Sequence, residues 1–309
     1  MTKVAIFSRD EDLSSVAQAL ADVAPDLTFL STDAPEWVEA DVAICWNPPR
    51  GALAKLPNLR LIHGVGAGID NITSDPDYPR SVPLCRIVDP EQAEGMSEFV
   101  LWSVLYFHRG FDQVLTNQRA QRWNTPPQRP ASSCTIGIMG LGEMGLPIAK
   151  GLVNAGFRIK GWSRNTKCVE GIECYGGNDA LPDFLSGTDM VVCVLPLTPE
   201  THMLIDASFL RHLSPLAKLI HVGRGQQVVI ADVIDALNAN TLGGAVIDVF
   251  ETEPLSADHP AWKTANLLVT PHMASLSRPE TLAKQIVKNI RCLERGDVLS
   301  NQVDLVKGF

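Results

Sequence analysis

The chain has 309 residues, a formal net charge of −9 at pH 7 and 45% hydrophobic residues, a composition typical of a globular protein. This length allows about two domains with buried cores. The negative charge argues against non-specific nucleic-acid binding, which needs clustered positive charge, and the longest apolar run, residues 99–107, is too short to span a membrane.

The first part of the chain alternates strand-like and helix-like segments. Apolar runs at 3–8, 41–46, 59–66 and 82–87 predict buried strands, and the apolar period of residues 12–24 predicts an amphipathic helix. Residues 99–120 predict one long helix, and the proline-rich segment 125–130 ends this part of the chain. The pattern predicts an α/β unit with its own core.

A second α/β series begins at residue 134. Strands buried on both faces of a parallel sheet are predicted at 134–140, 158–163, 190–197, 218–223, 243–250 and 266–272. A final helix is predicted over residues 278–296. The fold class predicted for the whole chain is therefore α/β, with two successive units.

The sequence GLGEMG opens the second series. Gly140, Gly142 and Gly145 have the spacing of a dinucleotide-binding turn, between a predicted strand and a predicted helix over 146–156. The N-terminus of that helix offers N–H groups and partial positive charge to phosphates. The alternative is that these glycines only allow a strand–helix turn.

The end of the next strand carries residues that bear on cofactor choice. An NAD-binding unit usually has an acidic residue here, which binds the ribose hydroxyls. This chain has Ser163 followed by Arg164, with Lys167 nearby, and these side chains suit a 2′-phosphate instead. We therefore predict a preference for NADP(H) over NAD(H), unless Arg164 is only a solvated surface charge.

Three polar residues follow later strands. Arg224, Glu253 and His272 each come after a predicted strand of the second series, and the carboxyl ends of parallel strands form the ligand crevice of such a sheet. A histidine suits proton transfer to a ketone that receives a hydride, a neighbouring carboxylate stabilises its imidazolium form, and an arginine polarises the carbonyl. Together the three predict a dehydrogenase site.

With these residues the chain resembles the D-isomer-specific 2-hydroxyacid dehydrogenase family over nearly its whole length. The resemblance rests on GVGAGIDNI (64–72), GLGEMG (140–145), LPLTPET (195–201), VGRG (222–225), DVFETEPL (248–255) and TPHMAS (270–275). It implies that Arg224 binds the substrate carboxylate and carbonyl, and that His272 is the acid/base, paired with Glu253. It also implies that the backbone at Val65, Gly66 and Ala67 cradles the substrate carboxylate.

Within the family, the chain most resembles bacterial glyoxylate/hydroxypyruvate reductases of the A type. The likeness lies in CWNPP (45–49), GWSRNTK (161–167), RPE (278–280) and NQVD (301–304). It implies NADPH-dependent reduction of glyoxylate and hydroxypyruvate, with Trp46 near the substrate; the alternative for Trp46 is a place in the core. Further cofactor-binding candidates are Glu143, Met144, Leu195, Pro196, Gly223 and Asp248. One departure is His221, where many members have asparagine.

The resemblance also implies a domain organisation. Two Rossmann-like, doubly wound parallel-sheet domains are expected, with the coenzyme domain (99–278) inserted into the substrate domain (1–98 plus 279–309). The family implies a homodimer formed by the coenzyme domains, and residues 98–112 are apolar on more than one helix face, which fits burial between subunits.

Cysteine usage bears on compartment and metal binding. The seven cysteines include no Cys-x-x-Cys pair and no histidine partner at metal-ligand spacing, which favours reduced thiols in a cytoplasm and predicts no metal.

Two other functions remain open from the sequence alone. A β-hydroxyacid dehydrogenase also uses a glycine turn of this kind, although its turn normally opens the chain. An NAD(P)-sensing, corepressor-like binding protein could share the whole fold without turnover.

Overall fold

The computed structural model describes residues 1–9 and 11–305, and the chain divides into two compact units. Unit 1 contains residues 1–90 and 277–309, and unit 2 contains residues 91–276, so that unit 2 interrupts unit 1 in sequence. The sequence placed the boundaries after residues 98 and 278. The first boundary falls earlier in the structure because the helix that follows it begins at Pro90.

The strands, in chain order, are β1 (Lys3–Ser8), β2 (Thr28–Leu30), β3 (Val42–Trp46), β4 (Leu61–Gly64), β5 (Leu84–Cys85), β6 (Thr135–Met139), β7 (Arg158–Ser163), β8 (Ile172–Gly176), β9 (Met190–Cys193), β10 (Lys218–His221), β11 (Gly244–Ile247) and β12 (Leu267–Val269). The α-helices are α1 (Ser14–Val23), α2 (Asp70–Thr73), α3 (Pro90–His108), α4 (Phe111–Arg119), α5 (Gly145–Asn154), α6 (Leu181–Leu185), α7 (Ala207–Arg211), α8 (Ile230–Asn238) and α9 (Pro279–Arg295).

Unit 1 is built on a parallel sheet with the strand order β2-β1-β3-β4-β5. This is the flavodoxin-like order of a doubly wound sheet. The helices α1 and α9 pack over one face, where Leu20, Ile286 and Ile290 join Ile44 and Leu61 in a fully buried core. The chain returns from unit 2 to supply α9, and its apolar stripe completes this core.

Unit 2 is built on a parallel sheet with the order β12-β11-β10-β9-β6-β7-β8. Numbered within the unit, this is the Rossmann order, and the strand order reverses between β6 and β9. Every residue of β6 and of β9 is buried, as expected for strands with helices on both faces. The predicted α/β fold with two Rossmann-like, doubly wound sheets is confirmed.

Two parts of the predicted element pattern are wrong. The single helix predicted over 99–120 is two helices, α3 and α4, because Gly110 between them adopts a left-handed φ of 71°. A Cβ at Gly110 would also lie 2.7 Å from Pro126 Cβ, so a larger residue would not fit at this position. The strands β2 and β8 were not predicted, since their segments are short or partly polar.

No helix within residues 1–9 and 11–305 has the length and apolar character needed to cross a bilayer.

Candidate active site

The glycine turn follows β6, next to the point where the strand order of unit 2 reverses. Gly140 has a φ of 104°, and a Cβ at Gly145 would lie 1.7 Å from the Gly140 carbonyl oxygen. Both positions therefore require glycine for the turn itself. Gly142 differs, because among the described residues no atom outside Gly142 and its two chain neighbours lies within 4 Å of the place where its Cβ would stand. The turn thus leaves open space beside Gly142, and this space suits the phosphate groups of a bound dinucleotide.

The helix α5 starts at the turn and presents its N-terminus to that space. The residue before it is Met144, whose side chain offers no oxygen to cap the first turn, and Glu143 is exposed. The first N–H groups of a helix lack acceptors within the helix and carry its partial positive charge. The glycine turn and these N–H groups together form a site suited to bind the pyrophosphate of a dinucleotide; the glycines are Gly140, Gly142 and Gly145.

The end of β7 holds the residues assigned to the adenosine ribose. Ser163 is buried, and its hydroxyl donates a hydrogen bond to the Asn165 carbonyl at 2.8 Å. Arg164 is exposed. Lys167 Nζ donates to the carbonyl of Leu141 at 2.7 Å, which brings an ammonium group against the glycine turn itself. Positive charge therefore lies beside the turn, and the last residue of β7 is not acidic.

Arg164 also acts on the loop that follows β9. The pKa of Glu200 lies below its usual range, because its own backbone N–H and the Thr198 hydroxyl stabilise the carboxylate and the charge of Arg164 adds to the effect. The guanidinium is thus within electrostatic reach of the β9 loop, on the same edge of the sheet as the glycine turn.

Arg224 follows β10 at the carboxyl edge of the sheet. Its backbone N–H donates to Gln227 Oε1 at 2.8 Å, and its carbonyl oxygen lies 2.8 Å from His221 Nε2. Its Nη1 donates to the Gly223 carbonyl at 2.9 Å. The backbone and side chain of Arg224 are therefore both held by hydrogen bonds.

The Gln227 side chain also reaches the loop after β9. Gln227 Nε2 donates to the carbonyls of Leu195 and Pro196 at 3.3 and 2.9 Å. Gln227 is fully buried, and a Cβ at Gly223 would lie 2.2 Å from its Oε1. Three cofactor-binding candidates, Leu195, Pro196 and Gly223, thus surround one buried amide that the sequence did not single out.

Glu253 and His272, which follow β11 and β12, form a hydrogen-bonded pair. Glu253 Oε2 lies 2.7 Å from His272 Nδ1, and the two side chains are each 34% exposed. Because a carboxylate only accepts, Nδ1 carries a proton. Burial alone would raise the pKa of Glu253. The hydrogen bonds from His272 and the Phe250 N–H, with the charges of protonated His272 and of Arg224, hold that pKa below its usual range.

Asp248 organises the loop that carries His272. Its Oδ1 accepts from the Thr270 hydroxyl at 2.6 Å and from the Met273 N–H at 3.0 Å, and its Oδ2 accepts from the Ala274 N–H at 2.9 Å. The His272 N–H donates to the Asp248 carbonyl at 2.8 Å. Asp248, predicted as a cofactor-binding residue, is thus also the anchor of the 270–274 loop.

The substrate-binding candidates Trp46, Val65, Gly66 and Ala67 lie in unit 1. Trp46 ends β3, and residues 65–67 form a bend directly after β4. A Cβ at Gly66 would lie 2.7 Å from Trp46 Cζ3, so the indole packs directly on the Gly66 backbone. Trp46 is partly exposed rather than fully buried.

No group of three or more His, Cys, Asp or Glu side chains suited to hold a metal ion occurs in the part of the chain that the structure describes.

Comparison with known proteins decides the family. Residues 101–274 match the NAD-binding domain of the D-isomer specific 2-hydroxyacid dehydrogenases. A glyoxylate/hydroxypyruvate reductase A from Serratia proteamaculans is 34% identical over 98% of this chain and 97% of its own length. The chain belongs to the D-isomer-specific 2-hydroxyacid dehydrogenase family. Membership removes the β-hydroxyacid dehydrogenase alternative.

Solved structures of this family resemble the chain along its whole length. A D-isomer specific 2-hydroxyacid dehydrogenase from Xanthobacter autotrophicus Py2, in complex with NADPH and MES, is 40% identical with a TM-score of 0.90 and covers 100% of this chain and 99% of its own. An NADPH-dependent glyoxylate/hydroxypyruvate reductase from Sinorhizobium meliloti, in complex with NADP and sulfate, is 33% identical with a TM-score of 0.92 and covers 100% of both chains. The predicted likeness to the A-type reductases of the family is confirmed.

Proposed function

We propose that this 2-hydroxyacid dehydrogenase reduces glyoxylate, hydroxypyruvate and similar small 2-keto acids to 2-hydroxy acids with NADPH. The observation that carries the proposal is the His272–Glu253 pair, at 2.7 Å, on the sheet edge that also bears Arg224 and the glycine turn. The reductases from Serratia proteamaculans and Sinorhizobium meliloti support the choice of substrates and of cofactor.

The cofactor assignment rests on the turn and on the residues beside it. The pyrophosphate is held at the N-terminus of α5 by the backbone of Gly140, Gly142 and Gly145 and by the backbone N–H groups of Glu143 and Met144. The 2′-phosphate is bound by Ser163, Arg164 and Lys167, and NADH, which lacks that phosphate, binds more weakly. The remaining contacts come from Leu195, Pro196, Gly223 and Asp248.

Proton transfer is the task of His272. The nicotinamide, when bound, supplies the hydride that the carbonyl carbon accepts. The carbonyl oxygen then needs a proton, which His272 donates from Nε2, because Nδ1 is committed to Glu253. The Glu253 carboxylate stabilises the imidazolium before the transfer and fixes the ring afterwards. No metal is required for these steps.

Substrate binding and polarisation are assigned to Arg224 and to unit 1. The guanidinium of Arg224 polarises the carbonyl and pairs with the substrate carboxylate through its planar set of donors. In unit 1, the backbone at Val65, Gly66 and Ala67 binds the carboxylate, and Trp46 limits the size of the side chain accepted.

The active form is proposed to be a homodimer through unit 2. Large apolar side chains of α3 and α4 are exposed in the single chain, among them Trp102, Leu105, Phe111 and Leu115. Exposed apolar residues on adjacent helices mark a surface suited to a second copy. Sedimentation at micromolar concentration measures this directly, and a monomer contradicts it.

The free thiols support a second proposal, that the protein works in a reducing compartment, the cytoplasm. The cysteines at 45, 85, 134, 168, 174, 193 and 292 are all free in the part of the chain that the structure describes. Free buried thiols suit a reducing environment.

A panel of 2-keto acids assayed with NADPH and with NADH tests the function. We expect turnover of glyoxylate and hydroxypyruvate, with NADPH preferred. A chain that binds NADPH but turns over no 2-keto acid contradicts the proposal and points to a nucleotide-sensing protein.

A further inference from the structure

Two buried polar side chains bracket the backbone of Arg224. His221, the last residue of β10, lies with Nε2 at 2.8 Å from the Arg224 carbonyl oxygen, and Gln227 Oε1 accepts from the Arg224 N–H at 2.8 Å. Both side chains are completely buried. The Arg224 carbonyl oxygen also accepts from the Gln227 backbone N–H at 3.0 Å, so the two side chains add to the backbone hydrogen bond of a short 3₁₀ turn over Gly225–Gln227.

The protonation state of His221 follows from these contacts. A carbonyl oxygen only accepts, so Nε2 must carry a proton, and Nδ1 is then an acceptor. That Nδ1 is buried without a hydrogen-bond partner among the described residues. Burial lowers the pKa of His221 to about 4, which keeps the ring neutral near pH 7. An apolar side chain would avoid the cost of an unpaired buried acceptor, so packing alone does not account for a histidine here.

The remaining contacts leave Arg224 little freedom. A Cβ at Gly225, the next residue, would lie 1.9 Å from the carbonyl carbon of Phe250, so the chain after Arg224 is pressed against the β11 loop. Gln227 Nε2 donates to the carbonyls of Leu195 and Pro196, which ties the same amide to the β9 loop. Arg224 is thus fixed with respect to two loops on the carboxyl edge of the sheet.

We propose that His221 and Gln227 are positioning residues that fix the backbone of Arg224 and so set the direction of its guanidinium. The inference rests on the function proposed for Arg224. The rate of a catalysed reaction is sensitive to the position of the groups that bind the substrate, since a displacement of about 1 Å can lower the rate on the order of 10²-fold. Neither His221 nor Gln227 needs to touch substrate to have this effect.

Variants of matched size separate the hydrogen bond from packing. His221→Met removes the donor, whereas His221→Gln keeps an N–H at about the position of Nε2. Gln227→Met removes the acceptor for the Arg224 N–H. Thr188→Val is the control, because Thr188 is also fully buried in unit 2 and loses one hydrogen bond, to the Phe184 carbonyl at 2.8 Å, on a different loop.

Three measurements are made on each full-length variant: kcat/KM for glyoxylate, the Kd for NADPH by fluorescence titration, and the crystal structure. We expect His221→Met and Gln227→Met to lower kcat/KM by about tenfold or more, with the guanidinium of Arg224 displaced by about 1 Å. In His221→Met the Kd for NADPH should stay within about twofold of the wild type, which separates a displaced arginine from a damaged cofactor site; Gln227→Met also loses the hydrogen bonds to Leu195 and Pro196, so its Kd for NADPH should rise as well. His221→Gln should recover most of the activity.

The inference is overturned if His221→Met loses no more activity than Thr188→Val, or if His221→Gln is as impaired as His221→Met. An unmoved Arg224 in the His221→Met structure also overturns it. If His221→Met does not fold, Gln227→Met takes its place: a loss of kcat/KM no greater than that of Thr188→Val, or an unmoved Arg224 in its crystal structure, then overturns the inference. A wild-type chain that reduces no 2-keto acid contradicts the proposed function instead, and the displacement of Arg224 in the variant structures still tests the positioning.

Discussion

His272 combines an unusual backbone conformation with a paired side chain. Its φ is 51°, in the left-handed region that residues other than glycine seldom adopt. Asp248 holds this conformation through its carbonyl and through both carboxylate oxygens, while Glu253 holds the ring. Conformational strain kept in place by several contacts is a frequent property of functional sites. Together these contacts hold the imidazole of His272 in one orientation.

Replacing this imidazole tests its role. His272→Asn should lower turnover by about 10²–10⁴, the usual contribution of a placed general acid, because asparagine cannot donate and regain a proton. The Kd for NADPH should change little. His212→Asn, at an exposed histidine of unit 2, is the control. A His272→Asn enzyme with a kcat near that of the wild type would remove His272 from the mechanism.

Arg164 offers a second test at the scale of one residue. Arg164→Ala should weaken NADPH binding by about one to two orders of magnitude, because a charge-assisted contact to the 2′-phosphate contributes roughly 1.5–3 kcal/mol. NADH binding should be nearly unchanged, and Ser163→Asp should reverse the preference. Since Arg164 is exposed, high salt should weaken the preference as well.

Arg158 provides the control for this test, because it is exposed at the opposite end of the same strand, β7. Arg158→Ala should leave both affinities unchanged. If Arg164→Ala weakens both cofactors equally, Arg164 is only a surface charge.

At the scale of elements, the glycine turn and α5 give three substitutions with different expected effects. Gly142→Ala should leave Tm nearly unchanged but weaken NADPH binding, because the added methyl enters the open space proposed for the phosphates. Gly145→Ala should destabilise the fold, since its Cβ would lie 1.7 Å from the Gly140 carbonyl oxygen. Gly151→Ala lies within α5 in open space and should raise stability by roughly 0.5–1 kcal/mol.

Thermal unfolding and NADPH titration of the three variants distinguish these effects. Unchanged NADPH affinity in Gly142→Ala would place the phosphates elsewhere.

The elements themselves differ in how far the sequence predicts them. Strands such as β6 and β9 were predicted because short, mostly apolar runs are typical of strands buried in a parallel sheet. The β8 segment, IECYG, is only partly buried and gave no such signal. The break between α3 and α4 falls at the left-handed φ of Gly110, which the apolar period of residues 99–120 does not reveal.

For the molecule as a whole, the sequence singles out candidate site residues where a charged side chain follows a predicted strand. Arg224, Glu253 and His272 are polar residues at strand ends, so topology alone places them on one edge of the sheet. Gln227 and His221 were not predicted as positioning residues, because the role proposed for them comes from side-chain hydrogen bonds to the backbone of Arg224, which lies three residues from each along the chain. The anchoring role of Asp248 depends on the fold of the 270–274 loop in the same way.

Both units carry a histidine buried in its neutral form, and this predicts acid sensitivity of the whole molecule. Burial lowers the pKa of His63, in unit 1, to about 4, and burial lowers that of His221, in unit 2, to about 4 as well. The pKa of His108 is also lowered, chiefly by burial. In the unfolded chain each histidine titrates near its ordinary value of about 6.5. The stabilising contribution is therefore complete above pH ~6.5 and is lost as the pH falls from there towards 4.

Between these two pKa values the free energy of unfolding should fall with falling pH by at most about 1.4 kcal/mol per pH unit for each of His63 and His221, because the unfolded state binds a proton that the folded state excludes. Glu253 does not account for the effect, since a carboxyl with a lowered pKa loses its contribution only at more acidic pH. Calorimetry between pH 7.5 and pH 4.5 measures the change as a fall in Tm. In His221→Gln the dependence of Tm on pH should be shallower, because glutamine does not titrate. A Tm that stays constant from pH 7 to pH 5 would contradict this prediction, because it would mean that the folded protein takes up as many protons as the unfolded chain over that range.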